Sequence, residues 1–362
     1  MMNLLCITSQ TDTINSVRPE AELFIGLARA GVKVHVLTET HSSYVDPMRD
    51  AGITIEHFEV NRKISRKAIT QLGRAIDAHD TDIVYAFNNN SISNATWACR
   101  KRSVKLITYR GQTGNIERHD PTAMLTHRNP RVDGIICVAK AVETFLRPRI
   151  NPDVRIDTIY KGHSLDWYTD LPAKRIDFDL PEDAVVIGCV ANNRPRKGVR
   201  YLLKAFKQLA SNNQAYLVLV GSGMDQSLLK NLAEDDPVRK RIRLLGRRND
   251  VGSLLQLFDI NVLPATKREG LPRAVIEAMA YALPCVVTNT GGNAELVNDG
   301  ETGLVVPTMD SQAITRALTT LIEDAPLRKK MGIAGRLRID QHFNVATTVE
   351  QTLTVFREHL AN

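Results

Sequence analysis

The segment that decides the fold, residues 267–297, reads KREGLPRAVIEAMAYALPCVVTNTGGNAELV. An apolar run ending at Pro264 predicts a strand before it, Pro272 stands where a helix would begin, and the run 284–289 predicts the next strand. A strand, a helix and a second strand form one βαβ unit, the element from which parallel sheets are built. The segment therefore predicts an α/β fold.

The same alternation of β-branched runs and helical stretches extends along the whole chain. The proline and glycine of PEAELFIGLARAG (19–31) predict a helix that begins at Pro19 and ends before Gly31. Other apolar runs have the length of buried strands. Together with 284–289, the predicted strands are 3–8, 32–38, 82–87, 104–109, 134–139, 155–160, 183–191, 215–221, 241–246 and 259–264.

The chain of 362 residues is long enough for two domains. The stretch 166–183, DWYTDLPAKRIDFDLPED, has no periodicity and is typical of a linker. We expect two Rossmann-like doubly wound domains: an N-terminal domain of residues 1–168 and a C-terminal domain of residues 169–342. Residues 343–362 form a C-terminal helix that we expect to pack back toward the N-terminal domain.

Composition excludes several classes of protein. The longest apolar runs are far shorter than the roughly 20 residues that span a bilayer, and MMNLLCITS at the N-terminus is typical of a first strand rather than a signal peptide. The five cysteines lack the spacing of metal ligands or redox pairs. We therefore expect a cytoplasmic protein without a zinc site or a disulfide framework.

Two carboxylates in the opening segment are candidate ligand-binding groups. Glu269 lies in the loop before the predicted helix, and Glu277 lies within that helix. Backbone N–H groups of Gly270 and Leu271 at the helix start favour an anion. A glutamate within a helix is ordinary by itself, but these two lie beside a predicted anion site. The following loop, 289–295, contains Gly291 and Gly292, which allow close approach of backbone to a ligand.

Basic residues follow the first predicted strand of the second domain. The segment ANNRPRKGVRYLLKAF (191–206) contains Arg194, Arg196 and the pair Lys197-Gly198. Such cations could stabilise the negative charge of a phosphate or a leaving diphosphate. The alternative interpretation is a basic turn in contact with solvent.

These two segments resemble glycosyltransferase family four, whose members are retaining enzymes of the GT-B fold. The resemblance implies that Glu269 contacts the donor sugar, Glu277 contacts the ribose, and Lys197 binds the donor diphosphate with an arginine. We favour Arg194 as that arginine, with Arg196 as a further donor-binding residue. Ala282 departs from the usual glycine. The matching signature residues are Glu269, Gly270, Leu271, Pro272, Glu277, Ala278, Met279, Ala280, Pro284, Gly291, Gly292 and Glu295.

The first domain departs from the family. Many members have a Gly-Gly loop after the first strand, whereas residues 11–22 contain no glycine, and Arg18 is the candidate substitute. Many members also have a histidine after the strand that here ends at Tyr109, where this chain has Arg110 and Gly111. His119 is the nearest histidine. Arg18, Arg110 and Gly111 are therefore possible site residues of the N-terminal domain.

The resemblance implies a retaining sugar transfer from a nucleoside diphosphate-sugar, with UDP favoured, to a hydroxyl of a glycan or lipid-linked acceptor. It also implies that the N-terminal domain (1–168) lies on the acceptor side and that the C-terminal domain (169–342) binds the nucleotide-sugar donor, with the two facing each other across a cleft. Lipopolysaccharide, polysaccharide or glycolipid biosynthesis would be the setting. No metal and no other cofactor is expected, because cations of the protein would stabilise the leaving group. Two alternatives stay open: a nucleotide-sugar epimerase of similar fold, and a non-catalytic nucleotide-sugar-binding subunit.

The net charge of +7 is concentrated in residues 61–75 and 100–105. These residues could form a solvated helix face or a surface for polyanions. No aromatic-rich basic motif supports nucleic-acid binding. Peripheral glycosyltransferases that extend lipid-linked sugars often dock on membranes through a basic first domain, so we expect reversible attachment to the cytoplasmic face of the membrane. The residues that could line one side of a helix there are Arg62, Lys63, Arg66, Lys67 and Arg74.

Overall fold

A computed structural model describes residues 1–9, 14–39, 42–114, 116, 120–209, 215–230 and 236–361. They fall into two compact units, one comprising Met1–His163 with Phe343–Asn362 and the other Ser164–His342. The first unit thus ends five residues before the predicted boundary at residue 168, and the C-terminal residues from Phe343 belong to it.

The first unit is built on a parallel sheet. Its strands are β1 (Asn3–Ile7), β2 (Lys33–Thr38), β3 (Thr54–His57), β4 (Ile83–Ala86), β5 (Lys105–Arg110), β6 (Gly134–Cys137) and β7 (Arg155–Thr158). They lie in the order β3-β2-β1-β4-β5-β6-β7, and every pairing between neighbours is parallel. Strand order therefore reverses between β1 and β4, which is where doubly wound sheets bind ligands.

Helices complete the first unit, and its core joins both ends of the chain. They are α1 (Ile14–Arg29), α2 (Val45–Asp50), α3 (Arg66–Ala78), α4 (Asn89–Ala98), α5 (Lys140–Leu146) and, at the C-terminus, α12 (Val345–Ala361). α12 packs against α1, and Phe356 meets Tyr85 of β4 edge to face at 5.4 Å. A Cβ on Gly26 of α1 would lie 2.4 Å from Val349 of α12, so this close helix packing requires glycine.

The second unit has the same architecture. Its strands are β8 (Val186–Val190), β9 (Tyr216–Val220), β10 (Ile242–Gly246), β11 (Ile260–Leu263), β12 (Cys285–Thr288) and β13 (Gly303–Val306). Its helices are α6 (Val199–Leu209), α7 (Val251–Leu255), α8 (Arg273–Ala280), α9 (Asn293–Leu296), α10 (Ser311–Glu323) and α11 (Ala325–His342). The parallel sheet has the order β10-β9-β8-β11-β12-β13, so its order reverses between β8 and β11.

The sequence located the central strands and missed two edge strands, β3 and β13. Both have four residues, and neither is buried along its whole length. The predicted start of α1 is also wrong. The helix spans Ile14–Arg29, which places Pro19 inside it. Its predicted end is confirmed, since α1 stops at Arg29 and Gly31 has a left-handed φ of 88°.

The helices and the cysteines bear on two expectations from the sequence, which concern membrane spans and disulfide bonds. Across the described ranges, none of the helices is both long enough and apolar enough to cross a membrane. Each of the five cysteines is buried and carries a free thiol.

Gly188 and Gly335 provide a matched test of the packing in the second unit. A Cβ on Gly188 in β8 would lie 1.9 Å from the ring of Phe258, whereas one on Gly335 in α11 would meet its nearest atoms at 3.6 Å. We expect Gly188→Ala to lower the free energy of unfolding by about 1–3 kcal/mol through overpacking. Gly335→Ala should leave it unchanged or raise it by up to about 1 kcal/mol through helix propensity.

Urea denaturation followed by circular dichroism measures both changes against the parent chain. Equal midpoints for the two variants would contradict the close packing of β8 on Phe258.

Candidate functional site

Candidate site residues from two loops lie where the order of the second sheet reverses. The loop after β8 contains Arg194, Arg196 and Lys197, and the loop after β11 contains Glu269. Both loops leave the carboxyl ends of neighbouring parallel strands, β8 and β11. This is the position at which open α/β sheets hold their ligands.

Glu269 binds two cations of the neighbouring loop. Its side chain is 6% exposed, and the Lys197 ammonium nitrogen lies 2.9 Å from Oε1 and 3.1 Å from Oε2. The Arg196 guanidinium lies 3.3 Å from Oε1 and also donates to the carbonyl of Arg268 at 3.2 Å. One carboxylate neutralises only one of the two cations, so the group of three side chains has a net charge of +1. The cations are more exposed than the carboxylate between them.

The backbone ties the two loops together. The Thr266 N–H donates to the Arg196 carbonyl at 2.8 Å. Gly198 has a left-handed φ of 71°, and a Cβ there would lie 1.9 Å from the carbonyl oxygen of Pro264. Only glycine permits this approach, which explains why glycine follows Lys197.

The third loop of the predicted site joins the same group. Gly291 has a φ of 56°, and a Cβ there would lie 2.2 Å from the carbonyl oxygen of Glu269. The Gly292 N–H donates to the Gly270 carbonyl at 2.8 Å. The structure therefore brings together three segments that are far apart in sequence and that carry most of the predicted donor-binding residues.

The start of α8 lies directly after Glu269. Leu271 is partly exposed, Pro272 is buried, and the helix begins at Arg273. No side chain caps this helix start. The absence of a side-chain cap is compatible with the anion site expected at this helix start, which stays a prediction.

Glu277 lies within α8 and has a different partner. Its carboxylate is buried, and Oε1 lies 3.4 Å from Nε of the half-exposed Arg273. Burial raises the pKa of Glu277 to about 7, which Arg273 opposes and Asp170 reinforces. Asp170 in turn accepts a hydrogen bond of 2.5 Å from the Tyr281 hydroxyl. Glu277 is thus a buried carboxyl group that titrates near neutral pH.

The structure does not bring Arg194 into the group around Glu269. Its side chain is exposed and forms no ion pair with any described residue, although Arg194 accepts a backbone hydrogen bond from Lys197 at 2.8 Å. The arginine that the structure places beside Lys197 and Glu269 is Arg196.

The candidate residues of the first unit have structural partners. Arg110 is buried, and its guanidinium donates to the carbonyls of Gln112 and Gly114. Burial lowers the pKa of Arg110 to about 10, so the side chain stays charged near neutral pH. Arg110 therefore holds the loop after β5, in which Gly111 is exposed. His119 lies outside the described residues.

Arg18 of α1 is held by Tyr44, the residue before α2. Its Nε donates to the Tyr44 hydroxyl at 2.7 Å, and the guanidinium lies 5.9 Å from the centroid of the Tyr44 ring. Sequence reasoning did not propose a charged pair at the carboxyl edge of the same sheet, Glu20 and Lys161, whose Oε2 and ammonium nitrogen lie 3.7 Å apart. Lys161 stands where the resembled family usually has asparagine. This difference from the family is the sequence feature that could have drawn attention to Lys161.

Metal ligands are not grouped in the part of the chain that the structure describes. There, no three residues among histidine, cysteine, aspartate and glutamate lie close enough together to hold an ion.

Two family models match the chain in succession. The model described as Glycosyltransferase Family 4 matches residues 21–167. The model described as Glycosyl transferases group 1 matches residues 172–338. The second match includes every residue of the group around Glu269.

Curated relatives match part of their own length. The chain is 24% identical over 230 residues to N-acetyl-alpha-D-glucosaminyl L-malate synthase from Bacillus anthracis, covering 63% of this chain and 60% of the relative. It is 32% identical over 187 residues to UDP-Gal:alpha-D-GlcNAc-diphosphoundecaprenol alpha-1,3-galactosyltransferase from Escherichia coli, covering 51% and 48%. The chain thus spans about half to three fifths of the length of these relatives.

A solved structure matches the chain along its full length. HepE from Anabaena, crystallised in complex with UDP, has a TM-score of 0.78 at 20% identity. The match covers 99% of this chain and 100% of HepE. At this identity the likeness concerns the fold.

The buried Glu277 carboxyl predicts a stability that depends on pH. Its pKa rises from 4.5 to about 7 on folding, so the folded chain binds more protons than the unfolded chain between these values. Stability should therefore fall as pH rises from 4.5 to 7, by up to about 3 kcal/mol at about 1.4 kcal/mol per pKa unit. Glu277→Gln should remove this dependence and be more stable than the parent chain at pH 8.

Urea midpoints at pH 5 and pH 8 test this prediction, with the exposed Glu301→Gln in the same unit as the control. A pH dependence in Glu277→Gln equal to that of the parent chain would contradict it.

Proposed function

The chain belongs to glycosyltransferase family four and has the GT-B fold, and we propose that it transfers a sugar from a nucleoside diphosphate-sugar to a hydroxyl acceptor. The observation that carries this proposal is the convergence of Lys197 and Arg196 on Glu269 where the order of the second sheet reverses. A nucleoside diphosphate is the expected ligand of two cations beside a helix start. HepE, of the same fold, binds UDP, so a UDP-sugar is the first donor to test.

The two cations match the charge that the reaction develops. When the bond between sugar and diphosphate breaks, negative charge grows on the leaving phosphate oxygens. Lys197 and Arg196 can hold that charge without reorganisation, because their loop is fixed by Gly198 and Thr266. Fixed cations of this kind can supply the stabilisation that other glycosyltransferases take from a metal. We propose a metal-independent reaction on this basis, with retention at the anomeric carbon as in the rest of the family.

Glu269 has two roles in this proposal. In the ligand-free chain its carboxylate neutralises the cations that the diphosphate needs. A diphosphate carries more negative charge than one carboxylate, so it can replace Glu269 as their partner. The released carboxylate is then available to accept hydrogen bonds from hydroxyl groups of the donor sugar.

Glu277 and the glycines complete the proposed donor site. We assign Glu277 to the ribose hydroxyls, since a buried carboxyl group within α8 can accept or donate hydrogen bonds. The N–H groups around Gly270 and the close-packed Gly291 and Gly292 would contact the diphosphate or the sugar through backbone. Arg194 is exposed and is assigned to the outer face of the diphosphate.

The acceptor is proposed to be a glycan or a lipid-linked sugar in polysaccharide, lipopolysaccharide or glycolipid biosynthesis. The Escherichia coli relative acts on a sugar linked to diphosphoundecaprenol. An acceptor with such an anchor lies at a membrane, so the enzyme must reach the membrane surface.

A surface of the first unit has the composition for that contact. Asn94 of α4 accepts from the Ser65 N–H at 2.8 Å and donates to the carbonyl of Arg62, which holds the start of α3 beside α4. Large apolar side chains are exposed on or beside α4, and the Arg100 guanidinium lies 5.5 Å from the centroid of the Trp97 ring. We define the α3–α4 surface by Ile64, Trp97, Met124, Arg62, Lys63, Arg66, Lys67 and Arg100. Exposed tryptophan with lysine and arginine is typical of peripheral binding to anionic membranes.

Replacing Glu269 should change the rate of transfer and the affinity for UDP in opposite directions. We expect Glu269→Gln to lower the rate of transfer about 100-fold or more, because a group that orients the donor sugar is lost. The same variant should bind UDP more tightly than the parent chain, because the carboxylate that competes for Lys197 and Arg196 is gone. Transfer is measured with a panel of nucleotide sugars, and UDP binding by calorimetry.

Glu301→Gln, exposed in the same unit, controls for the change of charge. Near-normal turnover in Glu269→Gln, or weaker binding of UDP, would contradict these roles. Conversion of a donor sugar to its epimer without any acceptor would indicate an epimerase instead.

The α3–α4 surface should bind vesicles that contain anionic lipid. We expect the parent chain to bind phosphatidylglycerol vesicles at low salt and to bind pure phosphatidylcholine weakly. Arg66→Glu with Lys67→Glu should lower the affinity about tenfold or more, at about 1 kcal/mol for each basic residue. Trp97→Ala should also weaken binding.

Lys329→Glu with Lys330→Glu, on exposed positions of α11, is the matched control. Equal binding of the parent chain to both kinds of vesicle would contradict the assignment, as would equal losses in the two double variants.

A further inference from the structure

Arg273 lies at a position where α8 gains no stability from an arginine. It is the first residue of α8, and the first turn of this helix has no acidic residue. The partial charge at a helix start is positive, so a cation there is unfavourable. Arg273 pairs with Glu277 four residues later, so the cation is nearer the helix start, which is the weaker orientation for such a pair. Helix stability therefore does not account for Arg273.

The carboxylate that Arg273 contacts is costly to bury. Only 9% of the Glu277 side chain is exposed, compared with 47% of the Arg273 side chain. Burial raises the pKa of Glu277 to about 7, Asp170 adds to this rise, and Arg273 opposes it. Tyr281, the residue after α8, donates its hydroxyl hydrogen bond to Asp170. Arg273 is thus the neighbour of Glu277 that favours its ionised form.

The contact leaves the carboxylate with unused hydrogen-bonding capacity. The Nε atom of Arg273 lies 3.4 Å from Oε1 of Glu277. Within the described ranges of the chain, no residue donates a hydrogen bond to either carboxylate oxygen of Glu277. An ionised carboxylate can accept about four hydrogen bonds. Glu277 is therefore a carboxylate held by one cation and able to bond to the hydroxyl groups of a ligand.

We infer that Arg273 is a positioning residue of the proposed donor site, and that its guanidinium holds the Glu277 carboxylate in the orientation that accepts hydrogen bonds from the ribose hydroxyls. Arg273 acts through Glu277 and does not itself bind the nucleotide. An arginine suits this role because its guanidinium stays charged and its long stem joins a buried carboxylate to the protein surface. The inference rests on the proposed function, which assigns Glu277 to the ribose.

The preference for ribose hydroxyls in nucleotide binding tests this role. The probes are UDP and 2′,3′-dideoxy-UDP, which lacks both hydroxyl groups that Glu277 would bind. We expect calorimetry at pH 8 to show that the parent chain binds UDP about tenfold or more tightly, the effect of a charged hydrogen bond. Glu277→Gln and Arg273→Met should each reduce this preference to about threefold or less. Arg273→Lys should keep more of it, because a cation remains beside Glu277.

Arg316→Met, at an exposed position of α10 in the same unit, is the matched control and should keep the preference of the parent chain. An unchanged preference in Arg273→Met overturns the inference, even if both probes bind more weakly, because such a loss would indicate contact with the diphosphate. A parent chain that binds both probes equally also overturns it. Arg273→Gln replaces Arg273→Met if thermal unfolding shows that the latter does not fold.

Failure of the proposed function gives a different result in the same experiment. A parent chain that binds neither UDP nor any other nucleoside diphosphate overturns the donor site and, with it, the role of Arg273. If the parent chain binds another nucleoside diphosphate instead of UDP, that nucleotide and its dideoxy form replace the two probes.

Discussion

The ion pairs that join Lys197 and Arg196 to the buried carboxylate of Glu269 constrain the rest of the second unit. They require that the loops after β8 and β11 lie side by side, which parallel pairing of these two strands provides. They also require glycine at positions 198 and 291, because any side chain there would collide with the backbone of the facing loop. A glutamate, two cations and two glycines thus form one interdependent arrangement.

The same arrangement explains why a ligand-free site of this kind is stable. Two neighbouring cations without a partner would repel each other, and a buried carboxylate without partners would be costly. Pairing the cations with the carboxylate avoids both costs in the ligand-free chain. The first unit has a longer charged pair in Glu20 and Lys161.

Features that depend on a short stretch of sequence could be predicted, whereas features that depend on tertiary contacts could not. Central strands such as β1, β8 and β12 are continuous apolar runs, so their positions followed directly, whereas the edge strands β3 and β13 are short and less buried. The convergence of Glu269 with Lys197 followed from the family signature. The family signature did not show whether Arg194 or Arg196 pairs with Glu269. That depends on how the 3₁₀ turn Pro195–Lys197 orients its side chains. The pairing of Glu20 with Lys161 depends on tertiary structure alone.

The structure of the chain with bound UDP tests the central claim most directly. The account predicts that Lys197 and Arg196 lie within hydrogen-bonding distance of the phosphate oxygens, and that the carboxylate of Glu269 no longer contacts both cations. UDP bound elsewhere, or bound while Glu269 keeps its ion pairs with both Lys197 and Arg196, would contradict the account.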